Sequence, residues 1–272
     1  MYPFIHVGPL TLGTYGLMVA IALICAFFVL RADFARRGIS ADAEAIIGIT
    51  GLAGLAGSRL YHLLESPAEF FADPWPQIFS TMGFAFVGAV IGGFIALLLL
   101  AWRFRMKPLL MLDVAAPAAA LGYGIGRIGC LISGDGDYGQ PTTLPWGMAF
   151  PHGIVPTTET CVQWGAAADC RVHPTPIYEF LAALLIFWIL WRLGERCIKT
   201  KARYGIVFSA YLVLTGISRF LVEIIRINPR SFYGMTNAQT ASVVSIVAGI
   251  ILFLSVRSKS KSKPNRLKPV LP

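Results

Sequence analysis

Arg59, Arg127 and Arg219 fall inside apolar stretches long enough to cross a bilayer. An ionised guanidinium at membrane depth costs about 3 kcal/mol or more, so it faces the protein interior, a partner or an anionic ligand. Arginine suits phosphate because its planar fork donates two hydrogen bonds and keeps its charge. Glu223 lies four residues after Arg219, and Arg226 three further on, which puts all three on one helical face. This spacing fits a self-neutralising pair, a carboxylate that orients a phosphate-binding guanidinium, or both. The run Gly126 to Gly139 reads GRIGCLISGDGDYG, an arginine among glycines that leads into a loop with Asp135, Asp137 and Tyr138. Glycines let a backbone approach a ligand closely. The chemistry these residues point to is the binding of an anion at a lipid–water boundary.

The elements that must position them are membrane helices. The 272 residues are 56% hydrophobic and 14% charged, with a mean hydropathy of +0.67, the composition of a polytopic membrane protein. The pattern predicts an all-α integral membrane fold with about seven transmembrane helices, near 13–30, 46–64, 84–101, 109–132, 177–193, 205–225 and 241–256. The fourth, with Pro117 and many glycines, is expected to be bent or broken. Residues 1–256 form one transmembrane domain with a large extracytoplasmic loop at 133–176. A basic tail at 257–272, expected to be disordered, touches anionic lipid. Of the 23 Lys and Arg residues, 17 lie in loops 31–45, 102–108 and 192–204 and the tail. By the positive-inside rule that side is cytoplasmic, so the C-terminus is cytoplasmic and the N-terminus outside. The net charge of +9 is therefore a topology signal and implies no nucleic acid. The N-terminus lacks a basic n-region, so the first apolar run reads as a retained span.

Threaded this way, the polar side chains at membrane depth gather in the outer half. Asp113, near the cytoplasmic end of the fourth span, is the exception and reads as a cap for a neighbouring helix. Gly48, Gly51, Gly54 and Gly57, and the pair Gly88 and Gly92, read as close helix packing. Gly124-x-Gly126-x-x-Gly129 matches a dinucleotide fingerprint as a string, but no strand precedes it and no soluble βαβ unit surrounds it. Cys161 and Cys170 share the outer loop, where an oxidising compartment would allow a disulfide, and the sequence leaves that pairing open. No zinc-type spacing accompanies them, so no metal is expected, and no cofactor is expected either.

At the Gly126–Gly139 segment the chain resembles the prolipoprotein diacylglyceryl transferases, integral enzymes of bacterial membranes. Their signature is approximately Gly-Arg-x-Gly-Asn-Phe-x-Asn-x-Glu-x-x-Gly. Further pieces follow in family order. Leu12 to Met18 looks like the first-span Tyr-Gly motif, and Gly57-Ser58-Arg59-Leu60 like the second-span Gly-Arg. His173 to Glu179 is similar to His-Pro-x-x-x-Tyr-Glu, and Arg219 to Arg226 to Arg-x-x-x-Glu-x-x-Arg. The resemblance implies a multi-pass enzyme of the bacterial cytoplasmic (inner) membrane. It would transfer the diacylglyceryl group of phosphatidylglycerol to the lipobox cysteine thiol in a prolipoprotein signal peptide, releasing glycerol-1-phosphate. Residues and resemblance together name Arg127, Arg219, Glu223 and Asp135 as catalytic. Tyr15, Arg59, Gly126, Arg127, Gly139, Tyr178, Glu179 and Arg226 are named as phospholipid contacts.

Five positions depart from the family pattern. Val87 stands where a span-three histidine is expected, and Cys130 and Ser133 replace the signature asparagines. Asp135 matches the glutamate, with one extra residue before Gly139, and Thr215 stands where a tyrosine precedes the span-six arginine. The base is thus open between Asp135, Asp137, Glu179 and a water. Two alternatives stand beside the transferase: a homologue with a changed acceptor, and a non-catalytic phospholipid binder. A transporter would line a path through both leaflets or show paired repeats with broken helices, and this chain shows neither. Loop 140–172 is open between a lid and a docking surface.

Overall fold

The computed structural model of the chain describes residues 2–8, 10–79, 85–231 and 233–261. A short antiparallel hairpin, β1 (Phe4–Val7) and β2 (Leu10–Gly13), leads directly into α1 (Thr14–Arg37). There follow α2 (Ala43–Glu65), the short α3 (Pro67–Ala72) and α4 (Pro74–Phe79), and α5 (Phe86–Arg103). After these come α6 (Pro108–Ser133), α7 (Thr157–Gln163), α8 (Thr175–Lys199), α9 (Ile206–Glu223) and α10 (Asn237–Lys261). The protein is an all-α membrane protein apart from the hairpin.

Each of the seven expected segments is a helix. Six of them (α1, α5, α6, α8, α9 and α10) are long and apolar enough to cross a membrane. The remaining one, α2, matches them in length with 23 residues but carries Glu44, Arg59, His62 and four glycines. The helices outrun the apolar stretches because polar residues extend them at the ends. In α1 the added turns carry Arg36 and Arg37, cations favoured at a helix C-terminus, before Gly38 closes the helix at φ 65°. Asp42 starts α2 by accepting from the amides of Glu44 at 2.9 Å and Ala45 at 3.0 Å. Phe84, the expected start of the third span, and the basic tail beyond 261 lie outside the described residues.

The sequence expectation of a broken fourth span is overturned in one respect: α6 runs unbroken from Pro108 through Pro117 to Ser133. Proline removes one hydrogen bond, and packed neighbours hold a membrane helix through such a gap. The neighbours of α6 are α1 and α8 along most of its length, with α5 and α9 beside them. Cβ atoms at Gly57 or Gly88 would collide with the backbone of the facing helix, so α2 and α5 need those glycines to meet.

The two ends of the bundle differ. At one end Leu30, Phe34, Ile46, Leu100 and Met111 form an apolar core. There Asp33, fully buried, accepts from Arg36 and from Arg37 at 3.0 Å. Arg36 also donates to the Trp191 carbonyl at 3.0 Å and stacks 3.8 Å above its ring, tying α1 to α8. Asp113 accepts from the amides of Gly205 and Phe208, both at 2.7 Å, and so caps α9, as its position in the sequence implies. At the other end the segment 134–174 has a core of its own, where Tyr138 stacks on Phe150 at 4.5 Å beside Cys161 and Val172. Cys161 and Cys170 are joined in a disulfide.

Candidate active site

The glycines of α6 each do something different. A Cβ on Gly124 would lie 2.9 Å from Ala183, so its absence lets α8 approach. One on Gly129 would lie 3.1 Å from Met18 and 3.2 Å from the Tyr15 ring, which sets the crossing of α1. Gly126 faces open space. These approaches bring the end of α6 against the start of α8 and the end of α9.

Glu179, 1% exposed, is the hub. Its Oε1 accepts from the Tyr123 hydroxyl at 2.6 Å and pairs with Arg219. Its Oε2 faces Arg127 Nε at 3.4 Å and Arg226 Nη1 at 3.6 Å. Arg219 Nη2 lies 3.2 Å from Glu223 Oε2, the pair its four-residue spacing predicts. Arg226 Nε faces the same oxygen at 3.6 Å, and Asn228 holds the other Glu223 oxygen at 2.5 Å. Asp137 completes the cluster, with Oδ2 on Arg127 and Oδ1 on Arg226. It is placed by the segment that follows α6, which docks onto the turn after α9. Gln140 donates to the Ile225 carbonyl at 2.8 Å, and Gly139 to that of His173 at 2.9 Å. The Thr175 hydroxyl donates to the Asp137 carbonyl at 2.6 Å.

Three guanidiniums thus face three carboxylates at one end of the helical bundle. Several of these contacts are long, and among the described residues Glu179 Oε2, Glu223 Oε2, Arg226 Nε and Arg226 Nη1 have no hydrogen-bond partner. Arginine pairs at 3.4 to 3.6 Å are attractive electrostatically but short of full hydrogen-bond geometry. Such looseness is common where a ligand completes the geometry.

Through Arg127 the cluster adjoins an apolar cavity of about 380 Å³ between α1, α2, α5 and α6, within the range of ligand sites. Tyr15, Tyr123, Arg127 and Cys130 line its polar end, and residues such as Leu30 and Leu97 line the rest. Its wall on α6 runs from Ala115 to Cys130, about 22 Å of helix. The Cys130 sulfur lies 3.8 Å from Arg127 Nη1. The Cys130 thiol and the carboxylates of Asp135 and Asp137 lie within 4.8 Å of one another, the one such group among the described residues that a cation would fit by spacing. Both Asp137 oxygens are already on arginines, whose charge repels a cation, so the surroundings favour an anion.

Outside the spans, the two loop carboxyls are pushed in opposite directions. Burial alone would raise Asp137, but Arg127 and Arg226 outweigh it and hold the carboxyl at about 2. Asp135 is raised by burial and by the charge of Asp137 beside it.

Of the residues named from sequence, Arg127, Arg219, Arg226, Glu179 and Glu223 come together through their own side chains. Tyr15 and Gly126 line the cavity. Gly139 is a packing position, since a Cβ there would lie 2.7 Å from the Ile225 carbonyl. Tyr178 turns toward the loop, where its hydroxyl accepts from Trp146 Nε1 at 2.8 Å and meets His173 Nδ1 at 3.2 Å. Arg59 is buried on α2, the helix paired with α5. The third arginine that faces Glu179 is Arg226, which the sequence reading names as a phospholipid contact. Tyr123 was missed, although its position four residues before Arg127 puts it under that guanidinium, 4.8 Å from ring to charge. Asn228 was missed as well, and no sequence signal marks it.

The family model described as prolipoprotein diacylglyceryl transferase matches residues 3–255. The chain belongs to that family. A phosphatidylglycerol–prolipoprotein diacylglyceryl transferase of Clostridium tetani is 34% identical over 248 residues, covering 88% of this chain and 91% of the relative. Proteins of the same name from Corynebacterium glutamicum and Nitrosospira multiformis are similar. The first is 29% identical over 276 residues, 97% of this chain and 85% of the relative. The second is 30% identical over 270 residues, 92% and 84% respectively. Membership of the diacylglyceryl transferase family extends over the hairpin, every long helix and the loop that carries Asp135 and Asp137.

Proposed function

We propose that the protein transfers the diacylglyceryl group of phosphatidylglycerol to the lipobox cysteine thiol of a prolipoprotein signal peptide. The observation that carries this reading is a cluster of three arginines, one of which, Arg127, lines the polar end of a long apolar cavity. The cavity takes acyl chain, and the guanidiniums take phosphate. The arginine end faces the outside of a bacterial cytoplasmic membrane. Two features support that orientation: the basic residues concentrate at the opposite end, and the disulfide at the arginine end suits an oxidising compartment.

The acceptor thiolate attacks the diacylglyceryl carbon, the sulfur–carbon bond forms, and the bond from that carbon to the phosphate oxygen breaks. Glycerol-1-phosphate leaves with the electron pair. Negative charge grows on the departing phosphate, and Arg127, Arg219 and Arg226 stabilise it more as the bond breaks than before. Glu179 and Glu223 hold the guanidiniums in place. Val87, half exposed on α5, accepts no proton. Asp137 is held ionised by two arginines and is a poor base. Asp135, raised and beside it, receives the thiol proton.

The test is a purified, bilayer-reconstituted sample given phosphatidylglycerol and a lipobox peptide. A thioether-linked lipopeptide and glycerol phosphate in equal amounts support the reading. Bound lipid without product would favour a binding protein, and product with another thiol or amine a changed acceptor.

A further inference from the structure

We propose that Asp137 occupies the seat of the donor lipid's phosphate, and that the donor binds by displacing this side chain from Arg127 and Arg226. The inference rests on the transferase reading above and concerns how that site accepts its ligand.

The first observation is geometric. Each Asp137 oxygen meets a different arginine, one on α6 and one after α9. Two oxygens on one centre bridging two guanidiniums is the arrangement that the free oxygens of a phosphodiester would make. The second is charge. Arg127, Arg219 and Arg226 are balanced by Glu179, Glu223 and Asp137, and Asp135 stands alongside as a fourth acid. An added phosphodiester would give this buried site excess negative charge, which low-dielectric surroundings penalise heavily. A phosphodiester that takes the place of Asp137 on Arg127 and Arg226 keeps the number of anions facing the guanidiniums, and a proton taken up by the released carboxylate offsets the rest.

The third observation is accessibility. The Asp137 side chain is 29% exposed, whereas Glu179 and Glu223 are at 1% and 0%. Those two are fixed on helices, and Asp137 sits on the segment between α6 and α8. Its backbone is pinned through Thr175 and docked beside Ile225. Release therefore requires rotation of one short side chain, without opening of the loop.

Displacement has a chemical consequence. The Asp137 carboxylate already lies within 4.8 Å of Asp135 and Cys130, and with its backbone pinned, the released side chain loses both cations but keeps Asp135 as its neighbour. Two carboxylates that close, with their compensating charge now spent on phosphate, hold a proton between them more readily than either alone. The donor thus creates the proton acceptor that the thiol needs, and the order of binding is donor first.

Two measurements test this. In the intact protein, carbodiimide labelling read by mass spectrometry should rise severalfold at Asp137 when phosphatidylglycerol is added, and not with diacylglycerol, which lacks the phosphate. The Asp137→Asn variant should show a KM for phosphatidylglycerol lowered by about tenfold, because a self-bound competitor has been removed. Its kcat should fall, because half of the proton-accepting pair is gone. Labelling that is unchanged or reduced by phosphatidylglycerol overturns the proposal, whatever the variant's stability. So does a folded variant whose KM is unchanged or raised. Wild-type protein that makes no lipopeptide would sink the transferase reading instead, while a labelling response to phosphatidylglycerol alone would still place a phosphate at Asp137.

Discussion

Among the described residues, two arginine clusters lie one at each end of the bundle and are built in different ways. Asp33, Arg36 and Arg37 come from one helix at spacings of three and four, and they close on each other locally. Their acid is fully buried and Arg36 is stacked on Trp191, so the group fastens α1 to α8. Arg127, Arg219 and Arg226 meet their acids across four separate stretches of chain, and Arg127 also lines the apolar cavity. Arg36 and Arg37 are not among the residues lining it. A locally closed charge group is a fastener, whereas one assembled from distant segments, with a partly exposed acid, leaves room for exchange with a ligand.

Substitution should separate the two. Arg127→Lys and Arg219→Lys are each expected to lower transfer by about a thousandfold, because lysine offers a single ammonium where bidentate contact to a developing charge is needed. Membrane insertion and the Cys161–Cys170 disulfide should survive. Near wild-type turnover in either variant would remove the basis of the contrast. Asp33→Ala should do the reverse. Leaving two guanidiniums buried without their acid costs about 3 kcal/mol, read as a lower midpoint in thermal unfolding in detergent. Transfer per folded molecule should be unchanged, and a selective loss of turnover would show that this end also serves the reaction.

Tyr123→Phe is expected to cost about 1.5 kcal/mol of transition-state stabilisation, or about tenfold in kcat, since it removes one hydrogen bond to a buried carboxylate. A change confined to KM would place the tyrosine on the lipid and not on Glu179. The smallest effects on stability concern pH. Asp137 is depressed, so the stability it contributes is present above the unfolded carboxylate range and is lost only as pH falls toward about 2. Asp135 is raised, so its ionised form destabilises the fold at neutral pH. Asp135→Asn should then slightly raise the unfolding midpoint at pH 7 while abolishing the acid limb of the transfer rate. A lowered midpoint would contradict the burial cost assigned to that carboxyl.

The sequence by itself determined which segments are helices and the i, i+4 pairing of Arg219 with Glu223. It also marked the family, through motifs that recur in order from Leu12 to Arg226. These signals are short in range: hydropathy, turn spacing and strings of residues. It did not determine that Pro117 leaves α6 whole, because the answer depends on what packs against the gap. Nor did it decide which arginines meet Glu179. That choice follows from how α6 and α8 approach at Gly124, and from the docking of Gly139 and Gln140 against Ile225. Tyr123, Asn228 and the bridging role of Asp137 belong to the same class. Charges placed by separate segments find their partners only when crossings of a few ångströms bring those segments together, and no local pattern encodes that distance.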